Sequence, residues 1–125
     1  MTKRYGLVID LERCTGCDTC TIACKVENKI EVGSGVRVET VGDTNRDNPA
    51  GKHPDLNVYY LPIICMHCDQ PPCRDACTTE AIYQRPDGIV LIDEEKCDGC
   101  QECLSACPYQ ALVFDADRKV MRKCN

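Results

Sequence analysis

The sequence predicts an α+β fold of short hairpins and short helices, and two observations lead to this prediction. The first is composition: 13 of the 125 residues are Cys, whereas Leu, Ile, Val and Phe together number only 26 and Trp is absent. The apolar core of such a chain is thin. The second is pattern, since the cysteines form repeated groups flanked by short β-branched and apolar runs. We therefore expect bound inorganic material to replace part of the core.

The composition also argues against several other classes of protein. The uncharged stretches are short, and the run from Leu56 to Met66, with 11 residues, is too short to cross a bilayer. The basic N-terminus lacks the apolar region of a signal peptide. Net charge is −5 with scattered basic residues, which gives no support to a nucleic-acid groove. We expect no nucleic-acid partner, no direct membrane insertion and a cytoplasmic location by default, with export or membrane association only through partners.

Twelve cysteines form three quartets, and the thirteenth lies near the end of the sequence. They are Cys14, Cys17, Cys20 and Cys24; Cys65, Cys68, Cys73 and Cys77; Cys97, Cys100, Cys103 and Cys107; and the single Cys124. Three cysteines at three-residue intervals can surround one side of an iron–sulfur cubane, and the fourth then ligates a second cubane. We expect the fourth cysteine of each such group to lie at the start of the following helix. The pattern predicts [4Fe–4S] clusters with the twelve cysteines of the quartets as ligands.

Two other interpretations of the cysteines are less favoured. Zinc sites usually have cysteine doublets separated by longer gaps. A disulfide framework would leave an odd cysteine and would need an oxidising compartment.

The first and third quartets belong to a longer repeat. Residues 9–17 match residues 92–100 at an offset of 83 (position 14 to position 97), and Gly16 and Gly99 lie inside the cysteine loops. A backbone that turns around a cluster needs the permissive dihedrals of glycine. The segments before the two repeats, Tyr5 to Ile9 and Ile89 to Ile92, are predicted to be strands.

A weaker repeat links the second and third quartets. The run after Cys77 parallels the run after Cys107, and each is predicted to enter a short strand. Strands at 81–84 and 89–92 enclose a turn at 85–88, and 112–114 pairs with 120–123. This symmetry predicts a ferredoxin-like fold, with a bacterial two-cluster ferredoxin module over residues 58–123.

The remaining segments complete the predicted domain organisation. Val36 to Val41 alternates like a half-exposed strand, and Gly42 to Asn57 has the composition of a surface loop. Residues 31–57 form a connection between the first and second quartets. We favour a solvent-exposed connection over one that binds a partner subunit. Residues 1–30 carry the first cysteine motif.

These motifs resemble the iron–sulfur subunit of the dimethyl sulfoxide reductase family. The resemblance rests on residues 9–24, 65–73, 88–93 and 97–108 and on Arg122-Lys123-Cys124-Asn125, and it covers essentially the whole chain. It implies two fused ferredoxin modules with four cubanes, and a fourth quartet that begins at Cys124. Residues 1–30 would then belong to an outer module that residues beyond 123 complete, and Cys124 would be a thirteenth cysteine ligand. The printed chain therefore looks truncated at the start of that motif.

The resemblance also implies which cysteines share a cluster. One cluster would use Cys65, Cys68, Cys73 and Cys107, and a second would use Cys77, Cys97, Cys100 and Cys103. A third would use Cys14, Cys17 and Cys20 and would lack one ligand. A fourth would use Cys24 and Cys124 and would lack two. Two clusters are complete within these 125 residues.

The functional expectation is electron relay without catalysis. The sequence contains no catalytic triad pattern, phosphate loop or dinucleotide fingerprint. His67 is either a hydrogen-bond donor to a cluster, a partner contact or an ordinary loop residue, and His53 is expected in solvent. The resemblance implies a molybdenum or tungsten bis-pterin catalytic subunit as partner, and in many cases a quinone-reactive membrane anchor. The alternatives are a polyferredoxin-like carrier of a hydrogenase or formate-oxidising complex, a redox-sensing iron–sulfur protein, and a zinc-binding interaction module.

Overall fold

The computed structural model describes residues 3–125, which form three short helices and eight short strands. The helices are α1 (Thr19–Glu27), α2 (Pro72–Asp75) and α3 (Glu102–Ala106). The strands are β1 (Arg37–Val41), β2 (Ala50–Lys52), β3 (Asp55–Asn57), β4 (Tyr59–Ile63), β5 (Ile82–Gln84), β6 (Val90–Ile92), β7 (Leu112–Asp115) and β8 (Val120–Lys123). In this part of the chain the strands form four antiparallel two-stranded sheets, in the pairs β1–β4, β2–β3, β5–β6 and β7–β8. None of the helices described here has the length and hydropathy that crossing a bilayer requires.

The two hairpins predicted in the second half of the chain are confirmed. In β5–β6, Tyr83 pairs with Leu91, and the amide of Gly88 donates to the carbonyl of Arg85 (2.9 Å) in the connecting turn. In β7–β8, Phe114 pairs with Met121. The inner faces of both hairpins supply the main apolar core, whose buried members are Ile82, Val90, Cys103, Leu112 and Met121.

The connection between the first and second quartets is more ordered than predicted. The strand predicted at 36–41 is confirmed as β1, and it pairs with β4, with Glu39 opposite Leu61. The prediction of a surface loop over 42–57 is wrong in part, because β2 and β3 form a small hairpin within it. Three-residue strands are too short to show an alternating pattern among the polar residues around them. Residues 31–57 are therefore joined to the following segment by backbone pairing.

The strand predicted at Tyr5 to Ile9 is wrong. The segment has no regular secondary structure, and Leu7 and Val8 are 74% and 92% exposed. Its counterpart in the repeat, β6, is held by the neighbouring strand β5, whereas no described strand pairs with residues 5–9. Arg4 instead forms an ion pair with Asp69. An apolar β-branched run thus does not become a strand when it has no partner edge.

The placement of the fourth cysteine at the start of a helix is also wrong. Helix α3 contains Cys103 and ends at Ala106, so that Cys107 follows the helix in an extended conformation (φ −80°, ψ 115°). The reason is Pro108, because the residue before a proline is excluded from the helical region. Helix α2 contains Cys73 and ends before Cys77, whereas α1 contains both Cys20 and Cys24. Each helix therefore begins before the third cysteine of its quartet.

The long repeat is visible in the backbone as well as in the sequence. Gly16 and Gly99 have positive φ values of 68° and 73°. Two residues later Asp18 and Gln101 are left-handed as well, with φ of 57° and 65°. A side chain at Gly99 would meet the carbonyl oxygen of Lys119 at 2.5 Å, so that glycine is required there for space as well as for conformation.

Arg122 joins the last hairpin to the first cysteine motif through a buried polar network. Its guanidinium donates to Asp115 (3.1 Å), to Glu94 (3.0 Å) and to the carbonyl oxygen of Asn28 (2.6 Å). The side chains of Arg122 and Asp115 are each only 7% exposed. Asn28 is the C-cap of α1, and the network therefore fixes α1 against β8.

We predict that Arg122→Ala destabilises the protein by on the order of 3 kcal/mol, because it leaves the Asp115 carboxylate buried without its partner. The matched control is Arg118→Ala. Arg118 also contacts Glu94 (3.5 Å), but its side chain is 49% exposed, and its loss should cost less than about 1 kcal/mol. Denaturant unfolding followed by tyrosine fluorescence measures both free energies. Equal losses in the two variants would show that the buried network adds nothing.

Candidate metal centre

Eight of the thirteen cysteines line two cavities, with four cysteines around each. Cavity A is lined by Cys77, Cys97, Cys100 and Cys103. Cavity B is lined by Cys65, Cys68, Cys73 and Cys107. The structure thus brings together, around each cavity, thiols from two segments that are distant in the sequence.

Cavity A lies between α3 and the inner faces of the two hairpins. Ile82, Ile92 and Met121 form its apolar wall. The backbone amide of Met121 donates to the sulfur of Cys97 (3.3 Å). The loop of Cys97 and Cys100 is closed by Asp98, whose carboxylate accepts the amide of Cys100 (3.1 Å). The hairpin β7–β8 therefore supplies both an apolar wall and a hydrogen bond to a cysteine sulfur.

Cavity B has a wall rich in proline. Pro71, Pro72 and Pro108 line it, together with the buried strand residues Val90 and Leu112. Prolines offer no backbone N–H groups that would need a partner, so they can enclose an apolar site at low cost. Cavity B is also lined by one basic residue, Lys123, which is 3% exposed.

The two cavities are connected by cysteines that are close in sequence but belong to different sites. Cys103 lines cavity A, and Cys107, four positions later, lines cavity B. The same exchange occurs in the middle quartet, where Cys73 lines cavity B and Cys77 lines cavity A. Neither cavity can therefore be assembled from one continuous quartet.

Burial keeps several of these thiols protonated in the free chain. Burial, together with the nearby thiols of Cys73 and Cys97, raises the pKa of Cys103 to about 12. Burial and the neighbouring Cys65 raise the pKa of Cys68 and Cys73. Cys77 differs: burial opposes the change, but hydrogen bonds from Thr79 and from nearby backbone amides lower its pKa. Metal binding in these cavities therefore requires proton release from buried thiols.

The donor set of both cavities fits an iron–sulfur cluster. Four cysteine thiols line each cavity, and apolar side chains make up most of the remaining wall. Within residues 3–125, no group of three His, Cys, Asp or Glu side chains is placed to hold a single metal ion. Thiolate donors around a multi-atom space with apolar walls are the arrangement that cubane clusters use.

The first quartet lies in a more open environment. Cys17 and Cys20 are exposed and Cys14 is partly buried. Two contacts hold the loop. The ring of Tyr60, in β4, lies where a side chain at Gly16 would stand, at 2.6 Å, and Arg46, in the connection, forms an ion pair with Asp18. The segment predicted to be a solvated connection therefore supports the first cysteine loop.

Cys24 and Cys124 are brought together at the end of α1. Cys24 is 5% exposed in a small core with Ile30 and Val36, against which Cys124 packs. Burial and a hydrogen bond with Cys24 raise the pKa of Cys124. The side chain of Asn28 donates to the sulfur of Cys24 (3.5 Å).

His67 anchors the loop of the middle quartet. It stands immediately before Cys68, where the other two loops have Gly16 and Gly99, and its φ is 43°. Its Nδ1 accepts the amide of Val90 (2.9 Å), a residue that is 1% exposed. Burial and the charge of Lys123 lower the pKa of His67, which agrees with this acceptor role. The imidazole thus holds its loop against β6, a role that the sequence analysis did not consider.

Two further residues of the site were not singled out from the sequence. Lys123 lies between cavity B and Cys124, and the backbone of Met121 donates to Cys97. The only available signal was position, since both residues lie in β8 directly before Cys124. Hydrophobic periodicity alone does not distinguish a core lysine from a surface one.

Comparison with known families identifies this arrangement. A model described as a 4Fe-4S dicluster domain matches residues 56–125, and a 4Fe-4S binding domain matches residues 11–28. This chain is a member of the 4Fe-4S dicluster domain family. Its cofactors are [4Fe–4S] clusters, as the cysteine spacing predicted, and the dicluster domain accounts for small sheets and short helices of the ferredoxin type.

Curated relatives resemble this dicluster protein along nearly its whole length. A Halobacterium salinarum protein, provisionally named as an iron-sulfur subunit of dimethyl sulfoxide reductase, is 47% identical and aligns with 90% of this chain and 46% of its own. The B subunit of tetrathionate reductase from Salmonella typhimurium is 40% identical over 97% of this chain and 47% of its own. The corresponding B component of the anaerobic dimethyl sulfoxide reductase of Escherichia coli is 39% identical over 100% of this chain and 62% of its own. The predicted resemblance is confirmed, and the chain spans about half to three-fifths of the length of these relatives.

We predict that His67→Gly destabilises the dicluster protein less than His67→Ala. Both variants leave the buried amide of Val90 without its acceptor, which costs about 1 to 3 kcal/mol. Glycine recovers the cost of the left-handed backbone, about 1 kcal/mol, because it has no Cβ. Denaturant unfolding and the rate of cluster loss to an iron chelator test the order. Because glycine also relieves the left-handed backbone, a glycine variant more stable than the wild type by about 1 kcal/mol would show that the imidazole contact contributes nothing.

Proposed function

We propose that this protein is an electron-transfer iron–sulfur component that holds one [4Fe–4S] cluster in cavity A and one in cavity B. The observation that carries the proposal is the set of four thiols around each cavity, drawn crosswise from two cysteine motifs. The ligands would be Cys77, Cys97, Cys100 and Cys103 in cavity A, and Cys65, Cys68, Cys73 and Cys107 in cavity B.

The geometry favours electron transfer over catalysis at these sites. When bound, a cluster with four thiolate ligands supplies reversible one-electron oxidation and reduction, with no ligand position left for a substrate. The residues of this chain exclude water with apolar and proline walls and donate to sulfur, as the amide of Met121 does to Cys97. Hydrogen bonds to sulfur and exclusion of solvent are the means by which a protein sets a cluster potential.

The domain organisation follows from the same ligand sets. Residues 58–123 would form a bacterial two-cluster ferredoxin module, in which β5–β6 and β7–β8 are the two hairpins that flank the clusters. Residues 1–30 would belong to an outer module, to which residues 31–57 connect. The ion pair of Arg46 with Asp18 in the first loop supports this role for the connection.

The first quartet would contribute to two outer sites. Cys14, Cys17 and Cys20 would share one cluster, and Cys24 and Cys124 would take part in another. The proximity of Cys24 and Cys124 in the small core at the end of α1 supports the second assignment. Both outer sites need ligands from residues beyond the printed sequence or from another chain.

The proposed partner is a catalytic subunit with a molybdenum or tungsten bis-pterin cofactor. Support comes from the relatives, which are named as components of dimethyl sulfoxide and tetrathionate reductases. A quinone-reactive membrane anchor is a further proposed partner, through which the complex would be attached to a membrane. Single electrons would then pass between these two partners through this protein.

We predict that the anaerobically purified 125-residue chain contains about eight irons, and that Cys103→Ala and Cys107→Ala each remove about four. The two losses should affect different paramagnetic signals, because the two cysteines line different cavities. Iron and sulfide analysis with electron paramagnetic resonance measures both. The matched control is Ser105→Ala, at an exposed position between them, which should leave eight irons.

Two results would contradict the cluster assignment. One is stoichiometric zinc in a colourless protein purified without air. The other is the loss of the same signal in both cysteine variants, because a single continuous quartet would then hold one cluster.

The partner proposal has its own test. When the protein is purified under anaerobic conditions with an affinity tag from its native source, we expect a large subunit with stoichiometric molybdenum or tungsten and a pterin to accompany it. A hydrogenase subunit at the same stoichiometry would overturn this assignment and favour a polyferredoxin-like carrier.

A further inference from the structure

We propose that Lys123 is the fixed countercharge of cavity B, that it favours the reduced state of the cluster held there, and that cavity B is therefore the higher-potential site of the pair. This inference rests on the proposed cluster binding. It goes beyond it because it states which of the two sites has the higher reduction potential. Lys123 touches no reacting atom in this account and acts through its charge.

The position of the lysine is unusual for a charged side chain. Lys123 lies in β8 and is 3% exposed. Its Nζ donates to the carbonyl oxygen of Cys124 (3.0 Å) and to the side-chain oxygen of Asn125 (3.0 Å). It lines cavity B beside Cys65 and Cys73. The ammonium group is thus directed at a site of thiols and away from solvent.

No carboxylate of residues 3–125 lies within ion-pair distance of this lysine. The carboxylates of Asp115 and Glu94 are engaged by Arg122, the preceding residue of β8. A buried ammonium without an anion is costly, and the group then loses its proton. The anions that face Lys123 are the cysteine sulfurs of cavity B, which are negatively charged when they ligate metal.

Cavity A has the opposite electrostatic character. None of the residues that line it is basic, and the charged residue among them is Asp98. The Asp98 carboxylate accepts the amide of Cys100 (3.1 Å), which holds its negative charge on the rim of the cavity. One site of the pair therefore faces a buried cation, and the other faces a carboxylate.

The sign of the effect follows from charge alone. Reduction by dithionite adds one electron to a site and makes it more negative by one unit. A fixed cation stabilises the added charge and raises the potential, whereas a nearby carboxylate lowers it. The effect of Lys123 should survive high salt because the side chain is buried, whereas exposed charges are screened. An electron shared by the two sites would therefore reside mainly in cavity B.

The test is a redox titration of the anaerobically purified protein, followed by electron paramagnetic resonance. The wild type should show two resolved potentials for the clusters of cavities A and B, and Cys107→Ala should remove the higher one. In Lys123→Met, only this higher potential should fall. The equilibrium constant for reducing that site should drop at least about tenfold, which is about 59 mV for a one-electron couple. Lys123→Arg should keep the original order of potentials.

The matched control is Lys119→Met, which removes an exposed lysine from the turn of the same hairpin and should leave both potentials in place. Unchanged potentials in Lys123→Met, or loss of the lower potential in Cys107→Ala, would overturn the inference. If Lys123→Met does not assemble its clusters, Lys123→Gln is titrated in its place with the same expected fall, and Cys107→Ala still tests the order of the two potentials. A protein without iron and sulfide would instead overturn the proposed function, so the two failures are distinguishable.

Discussion

The structure depends on the crosswise placement of cysteines that are close in sequence. Cys103 and Cys107 are four positions apart, yet Cys103 lines cavity A and Cys107 lines cavity B. In the middle quartet Cys73 lines cavity B and Cys77 lines cavity A. Each cavity therefore needs both segments in place before its four thiols are complete. This requirement explains how a chain with so few large apolar residues can have one defined fold, because metal–thiolate bonds couple site formation to folding. The hairpins β5–β6 and β7–β8 provide the walls against which the two segments meet.

The protein places its two buried cations in different ways. Arg122 is neutralised by carboxylates, and its network joins β8 to the end of α1. Lys123, the next residue along the strand, turns to the other side and lines cavity B without a carboxylate partner. Because successive side chains of a strand point to opposite faces, one strand can supply a structural ion pair on one side and a countercharge on the other. Both functions depend on the register of β8 with β7.

Much of this organisation could be predicted from the sequence, because cysteine spacing is a direct record of ligand geometry. The two hairpins and β1 were predicted from apolar runs that turn residues interrupt. The strand at 5–9 could not be judged from its own residues, since a strand exists only when another edge accepts its hydrogen bonds. The helix before Cys107 was misplaced because the pattern of cysteines does not show that Pro108 forces the preceding residue to be extended. The roles of His67 and Lys123 depend on tertiary contacts with β6 and cavity B, and no local pattern encodes them.

The most direct test of the central claim is a crystal structure of anaerobically purified protein with anomalous diffraction at the iron edge. The account predicts a compact group of iron atoms in each cavity, with Cys107 bonded to the group that Cys65 holds and Cys103 bonded to the group that Cys77 holds. Iron bound by Cys97, Cys100, Cys103 and Cys107 together, or a single metal atom in either cavity, would contradict it.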